Sequence, residues 1–113
     1  MTEETQKQDP AEIAAELSKK YNTTVQPIVF VKDEEEIIGF IKTPSRMVKM
    51  RCMDEAVRGT LTAASTLFDA ILLIEESDKR FSSGKSEDDD IYFGGALAAF
   101  GTIEILVDVF KKK

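Results

Sequence analysis

Apolar residues change their spacing twice along this chain, and the changes divide it into a helix, a β-hairpin and a helical body. Ile13, Leu17 and Tyr21 recur every four residues with Ala14 beside them, a narrow stripe of helical period that has to dock on something larger. Asp9-Pro10 opens that helix and Asn22-Thr23-Thr24 ends it, while Lys19 and Lys20 in the last turn suit the helix dipole. Val25 to Val31 is β-branched or aromatic apart from Gln26 and Pro27, and Ile37 to Ile41 is a second apolar run. Between them Lys32-Asp33-Glu34-Glu35-Glu36 is a charged connection of hairpin length, so an antiparallel pair is expected. Pro27 argues for an edge or a strand start, and Gly39 for a bulge or the close approach of another segment. A hairpin alone is marginal in water, so this one must lie on the helices or on a partner chain's strands.

The second change comes after Ile41. Thr43 is placed to cap a helix, with Pro44 at its first position, where the missing N–H costs nothing. Met47, Met50, Met53 or Asp54, and Val57 mark one face as far as Arg58-Gly59-Thr60. Gly59 reads as a break or a C-cap and Thr60 as a cap for a helix beginning at Leu61, which leaves two helices or one kinked helix. Leu61 to Ile74 carries Leu61, Ala64, Phe68, Ile71, Leu72 and Glu75 at helical spacing, with Leu67, Ala70 and Ile74 adjoining, an arc broad enough for a central buried helix. Glu75 to Asp90 reads as a flexible loop. Asp88-Asp89-Asp90 then supplies cap and first-turn acids for a last helix from Ile91 to about Phe100. Gly101 ends or kinks it, and 102–110 continues as helix or strand, with Glu104 and Asp108 four apart favouring helix. The expected architecture is α+β: an N-terminal helix, a β-hairpin at about 25–42, and a bundle of three to four helices at about 44–110. Residues 9–113 form one domain behind a disordered tail at 1–8, and no internal repeat is present.

Composition narrows the function. A chain of 113 residues with 42% apolar and 32% charged residues is one modest globular domain. Fifteen Lys plus Arg against 21 Asp plus Glu give a formal charge of −6, and no basic stripe interleaved with aromatics offsets it, so nucleic acid is disfavoured as a partner. The polar start Met1-Thr2-Glu3-Glu4 has neither the basic residues nor the apolar run of a signal peptide. The single Cys52 cannot make an internal disulfide and fits a reducing compartment.

Candidate chemistry is sparse. The chain has no His, which removes the usual general base and the commonest metal ligand. Cys52 sits mid-helix with no His to activate it, so a core or interface thiol is expected. Gly84-Lys85-Ser86 ends like a phosphate loop, but the earlier glycine of that motif would fall on Lys79. Asp88-Asp89-Asp90 lacks the alternating spacing of a calcium loop and reads as a solvated cap. Ile91 to Phe110 followed by three lysines has the length of a membrane anchor, but Glu104 and Asp108 within it oppose that reading. The paired carboxylates Glu75 and Glu76, or Glu104 and Asp108, read as solvated edges rather than acid–base chemistry. No catalytic residue, metal ligand or cofactor site is expected. Met47, Met50 and Met53 fill the core or, if exposed, form a partner-binding face.

From about Val25 onward the order of features resembles the small phage tail assembly chaperones, proteins encoded beside the tape-measure gene of long-tailed phages and prophages. The residues that carry the resemblance are Val29-Phe30-Val31-Lys32-Asp33-Glu34, then Phe40-Ile41-Lys42-Thr43-Pro44-Ser45-Arg46 leading into the first body helix, and Asp89-Asp90-Ile91-Tyr92-Phe93-Gly94 before a last helix with a Lys-rich end. The resemblance implies a non-enzymatic chaperone in the bacterial host cytoplasm. It implies one partner, a long helical tape-measure protein, kept soluble while tail-tube subunits assemble around it. Expected contact residues are Met47, Met50, Phe68 and Leu72, with Phe40 and Phe93 as aromatic anchors and self-association as a further possibility. The alternatives are a structural tail or connector subunit of the particle and a small bacterial regulatory module with one defined partner.

Overall fold

Alternation in the two β-branched runs produces a hairpin that is covered on both faces. In the computed structural model, which describes residues 9–111 and their side chains through Thr102, β1 (Val25–Lys32) and β2 (Glu35–Lys42) pair antiparallel from Val25↔Lys42 to Lys32↔Glu35. The tail expected at 1–8 lies outside the described residues. The connection is tighter than the charged run suggests. Only Asp33 and Glu34 leave the ladder, both at positive φ (52° and 67°), as a two-residue turn matched to strand twist requires. Cross-strand neighbours share a face. Ile28, Phe30, Ile37, Gly39 and Ile41 therefore point to one side, and Val25, Pro27, Ile38 and Phe40 to the other.

The second face meets α1 (Pro10–Tyr21), which buries Ala14 and Leu17 against Val25, Phe40 and Leu73. Asp9 caps α1 by accepting from the Ala11 N–H at 3.4 Å, and Asn22 ends it at φ 56°. The Ser18 hydroxyl donates to the Ala14 carbonyl at 2.8 Å and accepts from the Val25 N–H at 2.9 Å, clipping the helix to the strand after it. Lys20 and the Tyr21 hydroxyl converge on Glu76 at 2.8 and 2.9 Å.

Behind the first face stand α2 (Arg46–Ala56), α3 (Thr60–Ile71) and α4 (Asp89–Lys111). The molecule is α+β, with three helices in the body. Ser45, not Thr43, caps α2, its hydroxyl accepting from the Val48 N–H at 3.3 Å. Thr43 instead gives both its N–H and its hydroxyl to the Thr24 carbonyl, at 3.1 and 3.2 Å. The ladder thus extends past Lys42 and pushes the helix start beyond Pro44. Gly59 precedes α3 as its N-cap, so α2 and α3 are separate helices. Ala63, Ala64, Leu67, Phe68 and Ile71 are all buried, which makes α3 the central helix.

α3 stops at Ile71, three residues before the expected end, because the chain turns to pair with the hairpin. Leu72 bridges Ile41, the Leu73 N–H donates to the Phe40 carbonyl at 2.9 Å, and the Asp78 N–H to the Ile38 carbonyl at 3.0 Å. Ser77 completes the seam by accepting from the Phe40 N–H at 2.9 Å. This segment covers an edge of β2 that would otherwise be left unpaired. The region expected as a flexible loop is therefore ordered by backbone bonds, short 3₁₀ turns and one buried ring, Phe81. A Cβ on Gly39 or on Gly95 would stand 2.9 Å from opposite edges of that ring, so Phe81 is gripped between β2 and α4. α4 runs through Gly101 without a break, so 102–110 is helix.

Candidate functional site

The six residues expected to contact a partner fall in three places. Phe40 is buried on the hairpin face that meets α1, because strand parity sets it opposite Ile37 and Ile41. Phe68 is fully buried in α3, its ring edge-on to Phe81 and Tyr92 at 6.0 and 5.6 Å. Neither side chain presents a surface to a partner in this fold, and both are core. Leu72 and Phe93 line one cleft of about 430 Å³, together with Ile74, Phe81 and Tyr92. Met47 and Met50 stand apart from that cleft, on the outer side of α2.

α2 buries little of its surface. Of its 11 residues only Cys52 is fully buried, with Val48 and Ala56 packed partly against the core. A 3.6-residue turn puts the methionines on the opposite side. Met47 is 67% exposed, Met50 54% and Met53 43%, and Val57 after the helix reaches 88%. Of the two roles open to the methionines, core filling is excluded by this exposure. Met47, Met50, Met53 and Val57 therefore lie exposed along one side of the helix and its continuation.

Other chemical groups are structurally committed. The Cys52 thiol donates to the Ala63 carbonyl at 3.7 Å, and burial, with the Glu55 carboxylate adding to it, pushes its pKa up. That is the reverse of an activated nucleophile. Tyr92 donates to Asp69 at 2.9 Å and shares a second hydrogen bond with Ser65, and burial holds its phenol above the ordinary value. Asp88 accepts from the Ser83 hydroxyl at 2.7 Å, and Asp90 pairs with Lys32 at 3.0 Å. The acidic first turn of α4, Asp89 and Asp90, opposes an anion beside Gly84-Lys85-Ser86. Arg80 bridges Asp78 at 2.8 Å and Glu35 at 2.9 Å, so its guanidinium ties the loop to the hairpin tip. Among the described residues no group of three His, Cys, Asp or Glu side chains is placed to hold a metal ion, and no helix is long and apolar enough to cross a membrane.

Sequence reasoning misses Phe81 and the seam at 72–78. The available signal is a single aromatic, Phe81, inside an otherwise polar run. In comparisons with known proteins, no family model, no curated protein and no solved structure matches the chain.

Proposed function

We propose that this chain is a non-enzymatic binding protein of phage or prophage tail assembly, one that docks on the long helical tape-measure protein and keeps it soluble while the tail tube forms. The observation that carries the reading is the exposed methionine face of α2, Met47, Met50 and Met53, on a helix that buries only one side chain completely. Methionine is unbranched and adaptable, so such a face accepts many apolar helix ridges without reading an exact sequence. One helix face binds weakly, and a long partner offers many sites, so avidity along that partner supplies the hold. The order of elements that supports the tail-chaperone reading is a hairpin leading through Thr43-Pro44-Ser45 into the body helices, then the Asp-rich start of α4.

Affinity capture of the tagged chain from a prophage-induced host, with mass spectrometry of the captured proteins and of purified particles, tests the proposal. A very long helical partner in the host extract, with this chain missing from finished particles, is the expected result. Recovery in particles makes the chain a structural subunit instead, and one small partner at fixed stoichiometry makes it a regulatory module.

A further inference from the structure

We infer that the partner helix received by α2 is acidic. The inference rests on the reading that the methionine face is where a partner docks, and it names that partner's chemistry. One row of α2 and its continuation reads Arg46, Met50, Met53, Val57, and the adjoining row reads Met47, Arg51, Asp54, Arg58. Together with Lys49, the segment carries four cations against the two acids Asp54 and Glu55, in a chain whose net charge is −6. None of Arg46, Lys49, Arg51 or Arg58 has an ion-pair partner among the described residues, whereas Lys20, Lys32 and Arg80 are each neutralised by a neighbouring carboxylate. Lys42, also unpaired among the described residues, lines the same shallow depression as Lys49 at the foot of the hairpin and extends the positive surface. Lys19, Lys79 and Lys85 also have no ion-pair partner among the described residues, but they lie outside α2 and its continuation and are not grouped with one another along the chain.

An apolar row bordered by unpaired cations is complementary to an amphipathic helix whose apolar stripe is flanked by Glu or Asp. An anionic bilayer carries the same complement, but three observations favour the helix. Asp54 sits within the exposed face, and the chain as a whole is negative and repelled by anionic headgroups. The apolar side chains offered are methionines rather than the Trp and Phe that anchor interfacial helices.

Fluorescence anisotropy with three synthetic helices of about 18 residues tests this. The three share one leucine stripe and differ only in flanking Glu, Gln or Lys. The Glu helix is expected to bind about tenfold more tightly than the Lys helix in dilute salt, with the difference closing as salt screens it. Arg46→Glu combined with Arg51→Glu should reverse that order, and Lys79→Glu should leave it unchanged. Equal binding of all three helices, lost in Met50→Glu, overturns the acidic assignment while the docking face stands. Failure of every helix to bind overturns the docking face and the inference with it. Sedimentation with phosphatidylserine vesicles in preference to the Glu helix replaces the helix with a membrane surface. Circular dichroism matching the wild type shows that the variants are folded.

Discussion

Gly95→Ala is the substitution that most sharply tests how the body is packed. A Cβ at Gly95 would stand 2.8 Å from the Phe68 ring and 2.9 and 3.0 Å from the Phe81 ring, and both rings are fully buried. Real Cβ atoms do not approach that closely, and neither ring has solvent to move into. Phe81 is also held from the other side, where a Cβ on Gly39 would meet it at 2.9 Å. Overpacking of this kind costs typically 1–3 kcal/mol. Replacing glycine by alanine inside a helix returns about 1 kcal/mol of that, so the net expectation is a loss of about 1 kcal/mol within a range of about 0–2, or a melting temperature lower by roughly 5 °C. Gly101→Ala in the same helix is the control, since no described atom lies within 4 Å of its added Cβ. That change should raise the melting temperature by a few degrees, because only the helix preference remains. Thermal denaturation followed by circular dichroism measures both variants side by side. Matching increases for the two would refute the wedge of Phe81 between β2 and α4. Phe81→Leu in the Gly95→Ala background should recover part of the loss, because the two sites are coupled through one contact.

Three further outcomes are expected from the same geometry. Glu34→Gly should stabilise the protein by about 1 kcal/mol, since Glu34 holds φ 67° in the hairpin turn, where a side chain is disfavoured; chemical denaturation reads the shift in midpoint. Stability should fall on acidification, because Arg80 holds the carboxyls of both Asp78 and Glu35 below their ordinary values of 3.8 and 4.5. Groups depressed in the folded state stabilise it above those ordinary values and lose the contribution as pH falls through the depressed ones. Melting curves from pH 6 to pH 2 should therefore show a steeper acid loss in the wild type than in Arg80→Gln. Cys52 should resist a thiol reagent in the native protein and react on unfolding, since its raised pKa and burial both withhold the thiolate; rapid labelling of the native state would contradict its placement.

The hairpin and the sequence of helices are legible because each rests on local periodicity. Period two in Val25–Val31 and Ile37–Ile41, and the broad arc of Leu61–Ile71, are the marks of elements buried where the structure buries them. Errors arise where a long-range contact overrides a local signal. Thr43 has the chemistry of a helix cap, but the Thr24 carbonyl lies across the ladder and takes its donors. Leu72 and Leu73 continue the helical pattern of α3, but their backbone pairs with Ile41 and Phe40. Phe40 and Phe68 suggest themselves as anchors by residue type, and type does not say which side of a strand or helix is already occupied. For Phe40 the occupant is α1, whose narrow stripe shows that it docks but not where. The pair Gly94-Gly95 is explained only in three dimensions, by the Phe30 ring over the first glycine and those of Phe68 and Phe81 over the second. The methionine row is open to two roles in the sequence, and exposure distinguishes them.

The most direct test of the proposed docking face is capture of the proposed tape-measure partner from an induced host by wild type and by Met50→Glu in parallel. Met50 is 54% exposed and outside both core clusters, so the variant should keep its helical circular dichroism and lose about 0.5 kcal/mol of stability at most. The account predicts that the wild type retains the long partner and that the folded variant releases it. Retention of the same partner by the folded variant would contradict the assignment of the methionine face.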